Sequence, residues 1–183
     1  MSELTQEIRN QFIVNCHMNF EGVKEAIAQF PEIVNSYNPE IFESALGAAG
    51  HVGNRPIALY LLAHGADLEL AAAVMLGMKE EARELIAADP SLLKKGGAHH
   101  ISIGYHAVLS GDQEMVELIW NAGEQEAVQK SLVAAVNTAD LNMVQWLLEN
   151  AADTNVTNFQ GKTPLELAQE RGLSEIAALL QIS

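Results

Sequence analysis

Residues 161–180 read GKTPLELAQERGLSEIAALL, and this stretch decides the fold. Gly161 supplies a turn, and Thr163 stands where a helix cap belongs. Pro164 follows as a first helical residue, a place where its missing N–H costs nothing. Leu165, Leu167 and Ala168 give that helix a buried side, and Gly172 ends it. Ile176, Ala177, Leu179 and Leu180 then line a second short helix at helical spacing. The reading is two short helices laid back to back.

The surroundings of Gly172 recur upstream around Met18, Gly53, Gly77, Gly111 and Ala139. Four residues before these anchors stand Val14, Ala49, Ala73, Ala107, Ala135 and Ala168. Five after stand Val23, Ala58, Ala82, Val116, Val144 and Ala177; eight after, Ala26, Leu61, Leu85, Ile119, Leu147 and Leu180. Small residues where two helices approach, with larger ones where a core must be filled, are what stacked helix pairs require. Six repeats are counted in this way.

The stretch at 161–168 resembles the Gly-x-Thr-Pro-Leu-His-x-Ala opening of an ankyrin repeat, with Glu166 at the place of the family's His. Gly53 to Asp67, GNRPIALYLLAHGAD, resembles the second helix and closing Gly-Ala-Asp of such a repeat, with Gly65 as the helix stop. The segments AAAVMLG, AADPSLL and GGAHHISIGYHA resemble ankyrin proteins common in bacteria. The resemblance implies an all-α ankyrin-type solenoid forming a single domain, with repeats at about 1–37, 38–66, 67–96, 97–124, 125–155 and 156–183, the first and last acting as caps. Successive anchors lie 35, 24, 34, 28 and 33 residues apart. The short junctions at 66–68 and 123–125 leave no room for the β-hairpin finger of an ordinary ankyrin repeat, whereas Pro31 to Asn38, Pro90 to His100 and Thr154 to Lys162 do.

In the first repeat Leu4, Ile8, Phe12 and Ile13 form an apolar side, with Ser2, Glu3, Gln6, Glu7 and Asn10 facing water. A second helix over about Glu21 to Phe30 ends at Pro31. Asn38 and Pro39 are expected to start the next pair as cap and first helical residue, with Phe42, Leu46 and Ala49 on its inner side.

Composition narrows the functional classes. Of 183 residues, 49% are hydrophobic, enough for a continuous core, and the texture is rich in Ala and Leu rather than in β-branched and aromatic clusters. The lone Cys16 excludes an internal disulfide and fits a reducing compartment. No leader-like N-terminus and no membrane-length apolar run is read, so a cytoplasmic, monomeric protein is expected. The net charge of −14 argues against nucleic acid and anionic membrane surfaces as partners. Between His106 and Gly161, Asp112, Glu114, Glu117, Glu124, Glu126, Asp140, Glu149 and Asp153 face only Lys130. They read as a solvated convex face that can also steer a basic partner.

Catalytic motifs for metalloprotease, P-loop, nucleophile-elbow and dinucleotide chemistry are absent. Cys16 and His17 are adjacent and point about 100° apart on a helix, so they make no nucleophile–base pair. The expectation is a non-enzymatic module with no cofactor and no metal. His99, His100 and His106 carry the alternative, a small metal- or ligand-binding site, since imidazoles ligate zinc; a purely structural scaffold is the third reading.

The resemblance implies that a partner protein binds on the concave side, where the two residues before each anchor lie. Those places hold Cys16-His17, His51-Val52, Met75-Leu76, Leu109-Ser110, Asn137-Thr138 and Glu170-Arg171. The middle of this series is apolar and its ends are polar, as at an interface. His51, Met75, Leu76, Tyr105 and Leu109, in repeats two to four, are the expected contact residues. The opposing reading folds the Pro90 to His100 connection over them and makes them core.

Overall fold

The computed structural model describes residues 3–182, so Ser2 lies outside the described residues. Packing groups the chain into two compact units, Met1–Ile101 and Ser102–Ser183.

The first unit holds three helix pairs: α1 (Gln6–Met18) with α2 (Phe20–Gln29), α3 (Ala45–His51) with α4 (Arg55–Ala63), and α5 (Leu70–Met75) with α6 (Lys79–Ala88). A short α7 (Leu92–Lys95) and a 3₁₀ turn (Ala98–His100) follow. α3 is the middle element, packed on both α1 and α5. Its sequence, ALGAAGH, is small throughout, and Ala45 to Gly50 are all buried. The approach is close enough that a Cβ on Gly50 would meet Ala72 Cα and Cβ at 3.1 Å. Larger residues on the flanking helices fill the remaining space: Phe12, Ile13, Ile57 and Leu61 are each at most 1% exposed.

The second unit repeats the plan with α8 (Ile103–Ser110) and α9 (Gln113–Ile119), α11 (Leu132–Asn137) and α12 (Leu141–Glu149), and α13 (Pro164–Glu170) and α14 (Ser174–Gln181). A π-turn (Trp120–Glu124) and a short α10 (Gln125–Gln129) join the first two pairs. α11 packs on α8 and on α13. α10 sits so close to α8 that a Cβ on Gly104 would come within 2.7 Å of the Ala127–Val128 backbone. Ile103, Met115, Ile119, Leu132, Met143 and Leu147 form the core.

The anchor positions share one backbone conformation. Gly53, Gly77, Gly111, Ala139 and Gly172 have φ between 56° and 70°, the left-handed turn that ends each first helix. Met18 departs from the series. α1 ends on Asn19 with φ −102°, and its buried residues are Phe12, Ile13 and Cys16. Val14, expected beside the small buried alanines, is instead 60% exposed.

A second correction concerns Asn38 and Pro39. They do not start a helix: Asn38 ends β1 (Tyr37–Asn38), which pairs antiparallel with β2 (Glu43–Ser44). Asn38 Oδ1 accepts from Glu40 N at 3.0 Å, so the side chain that suits a cap closes a turn two residues on. Ser44 caps the helix instead, accepting from Gly47 N at 2.8 Å. Phe42 stands outside α3 as a result. The first of the three roomy connections, Pro31 to Asn38, holds a 3₁₀ turn (Pro31–Asn35) and the first strand of this hairpin, which continues to Ser44. Pro90 to His100 is occupied by α7 and the 3₁₀ turn. Thr154 to Lys162 is a tight turn in which Asn158 Oδ1 accepts from Gln160 N and Lys162 N at 2.9 Å.

Candidate functional site

The chemical feature of the first unit is a buried carboxylate surrounded by imidazoles. Glu43 is 1% exposed. Its Oε1 lies 3.5 Å from His17 Nε2 at the end of α1, 3.0 Å from His51 Nδ1 at the end of α3, and 3.5 Å from His99 Nε2 in the 3₁₀ turn. The rings of His17 and His51 meet edge to face at 5.2 Å, as do those of His51 and His99 at 5.4 Å. No Lys or Arg is paired with Glu43 by any of these contacts. Burying a carboxylate costs several kcal/mol unless positive charge compensates it.

Local backbone sets this arrangement. Phe42, His99 and His100 have φ of 53°, 56° and 59°, a conformation that non-glycine residues adopt at a cost and that collects at functional sites. His99 N donates to Ile41 O at 3.3 Å, and the His100 ring stacks on Phe42 at 4.0 Å. The turn holding His99 is thus fastened to the finger that holds Glu43.

The histidines of the alternative reading have separate roles. His99 faces Glu43 and His100 stacks on Phe42, both in the first unit. His106 is buried in α8 of the second unit, where its Nδ1 donates to Ser102 O at 2.9 Å. Neither Glu43 nor its neighbourhood with His17 is singled out in the sequence. A signal was present, since His17 and His51 occupy neighbouring places at the ends of successive first helices, and that recurrence points to a shared neighbour.

The expected contact residues divide. Leu76 is 6% exposed and belongs to the core of the first unit, so it is packing rather than surface. Met75 in the first unit is half-buried, as are Tyr105 and Leu109 in the second. His51 is half-buried in the Glu43 group. Cys16 is fully buried, and burial, with the Glu43 charge second, pushes its thiol up to about 12, which leaves it unreactive. Arg171, expected on the binding side, donates to Val136 O at 2.6 Å and Asn137 O at 2.9 Å and so caps α11. Glu124, read as part of a solvated face, is 3% exposed. Asp112 and Asp140 cap α9 and α12 by accepting from Met115 N and Met143 N.

Helix pairs closed by left-handed turns, with the Thr163 and Pro164 helix start, are matched by the comparisons with known proteins. A family model described as ankyrin repeats (many copies) matches residues 121–168. This stretch of the chain consists of ankyrin repeats. Over 38 residues its sequence is 60% identical to the putative ankyrin repeat protein YahD of Escherichia coli K12, a match spanning 21% of this chain and 19% of YahD. Rat cyclin-dependent kinase 4 inhibitor B is 26% identical over 128 residues, covering 66% of this chain and 95% of that protein. The ankyrin repeat domain of Bcl-3, a member of the IkappaB protein family, superposes with a TM-score of 0.54 at 20% identity, over 99% of this chain and 87% of that one. The fold class is accordingly an all-α ankyrin-type solenoid. Among the described residues no helix is long and apolar enough to cross a membrane.

Proposed function

We propose that this ankyrin-repeat chain is a non-enzymatic interaction module that binds a partner protein through the concave side of its repeats. The observation that carries the reading is a repeated one. The ends of successive first helices keep apolar side chains in reach of solvent: Met18 is 85% exposed and Val52 44%, while Met75 at the end of α5 and Leu109 near the end of α8 are half-buried. Surface apolar residues are ordinary singly; their recurrence in the last turn of successive first helices suits an interface. Met adds a side chain that repacks against varied shapes, and Tyr105 supplies an aromatic anchor in the second unit.

The charge of −14 supports a protein partner over nucleic acid or an anionic membrane. A monomer in the cytoplasm suits the single buried thiol and the acidic surface. The relative named cyclin-dependent kinase 4 inhibitor B acts on another protein, as its name states, and the same mode is proposed for this chain.

The test is a pull-down from lysate of the source organism with wild type, Met75→Asp and Leu109→Asp, each checked by circular dichroism. A protein retained by wild type and lost with a still-folded variant supports the reading. Equal retention by all three overturns the assignment of these residues to the interface.

A further inference from the structure

We propose that His17, Glu43 and His51 form a binding site for a divalent transition-metal ion of the zinc class, with His99 Nε2 beside it at 3.5 Å from the same Glu43 oxygen. This goes beyond partner binding and rests on the first unit alone. The ligand atoms of His17, Glu43 and His51 all lie within 4.8 Å of one another. Four-coordinate zinc with bonds of about 2.0–2.1 Å places its ligand atoms about 3.3 Å apart. The three distances from Glu43 Oε1, at 3.5, 3.0 and 3.5 Å, bracket that edge.

The orientation of His17 adds an independent argument. Its Nδ1 lies 3.2 Å from Ile13 O and 3.3 Å from Val14 O. A carbonyl oxygen only accepts, so Nδ1 carries a hydrogen, and Nε2 is the ring atom turned toward Glu43 Oε1. A metal ion held between Nε2 and this carboxylate oxygen would be bound by both. An imidazole that donates its other nitrogen to a backbone carbonyl is also how metal-ligating histidines are held. Neither Glu43 oxygen, nor His51 Nδ1, receives or makes a well-directed hydrogen bond within the protein. Two imidazole nitrogens and one carboxylate oxygen favour zinc, or copper and nickel, over calcium and magnesium, which take oxygen ligands.

The site is preorganised where the chain spends strain. Glu43 follows the left-handed Phe42, and His99 is itself left-handed. A bound ion would neutralise the buried carboxylate and tie α1, the finger, α3 and the 3₁₀ turn together.

The experiment uses the full chain stripped with chelator, dialysed against Zn²⁺, and measured for metal content and for affinity by competition with a chromophoric chelator. Co²⁺ replaces Zn²⁺ in a second sample. The expected result is one zinc per chain and the intense visible absorption of four-coordinate cobalt. Glu43→Gln and His17→Gln should each weaken binding on the order of 100-fold, in line with the 10–100-fold seen on disturbing even the outer partners of such ligands. His64→Ala, an exposed histidine away from the group, should leave affinity unchanged. Should Glu43→Gln fail to fold, His17→Gln decides, because that ring is partly exposed. Wild type that retains no zinc, or folded variants that bind as tightly as wild type, overturns the proposal.

Discussion

At the scale of single residues, one position is repeated with one conformation. The anchors end their helices in the left-handed region, where glycine pays no penalty and an L-residue with a Cβ pays about 1–2 kcal/mol. Four of them are glycine, but Ala139 holds φ 56° with a Cβ in place. Ala139→Gly should therefore raise the stability of the protein by about 1 kcal/mol, read as a higher urea midpoint, with the extra chain entropy of glycine offsetting part of the gain. An unchanged or lower midpoint would show that Ala139 is held there by contacts worth more than its strain. The series was legible in sequence because glycine marks it. Met18 was not, because its surroundings mimic the pattern while Asn19 takes the cap.

Elements follow from how their first residues are satisfied. α13 starts with a capping box: Thr163 Oγ1 accepts from Glu166 N at 3.3 Å, and Glu166 Oε2 accepts from Thr163 N at 2.8 Å. Glu166 thus has local work at the place where the family carries His. The backbone hydrogen bond from Thr163, and then its hydroxyl, holds the Glu166 carboxyl below its ordinary value. A depressed carboxyl contributes stability that is full above its unfolded pKa, near 4.3, and is lost as pH falls through the folded value. Melting temperatures of wild type and Glu166→Gln should differ at pH 7, with wild type higher, and converge as the pH drops through and below about 4. A gap that persists at pH 2 would assign the difference to packing instead. Helix starts of this kind were readable at 161–164. The finger was not, because Asn38 and Pro39 serve equally well as a helix start or a turn, and only the later Ser44 cap separates the two. The Glu43 group was harder to read, since its members come from four separated segments and only the recurrence of His17 and His51 at the ends of successive first helices points to it.

For the whole molecule, the sequence expressed the repeat architecture through small residues at close approaches. Gly50 on α3 and Gly104 on α8 each mark a place where a second backbone leaves no room for a Cβ. Exposure was less legible: Leu76 and Met75 are neighbours of similar hydropathy, yet one fills the core and the other reaches solvent. That difference depends on where α5 ends, a detail of a residue or two that apolar periodicity does not resolve. The central claim is that the ends of the first helices bind a partner protein. Its most direct test places a photo-crosslinking amino acid at Met75, at Leu109 and, as a control, at Leu59 on α4, which is 44% exposed, in the source cells. The account predicts partner adducts from positions 75 and 109 and none from position 59. Adducts from position 59, with none from 75 and 109, would contradict it.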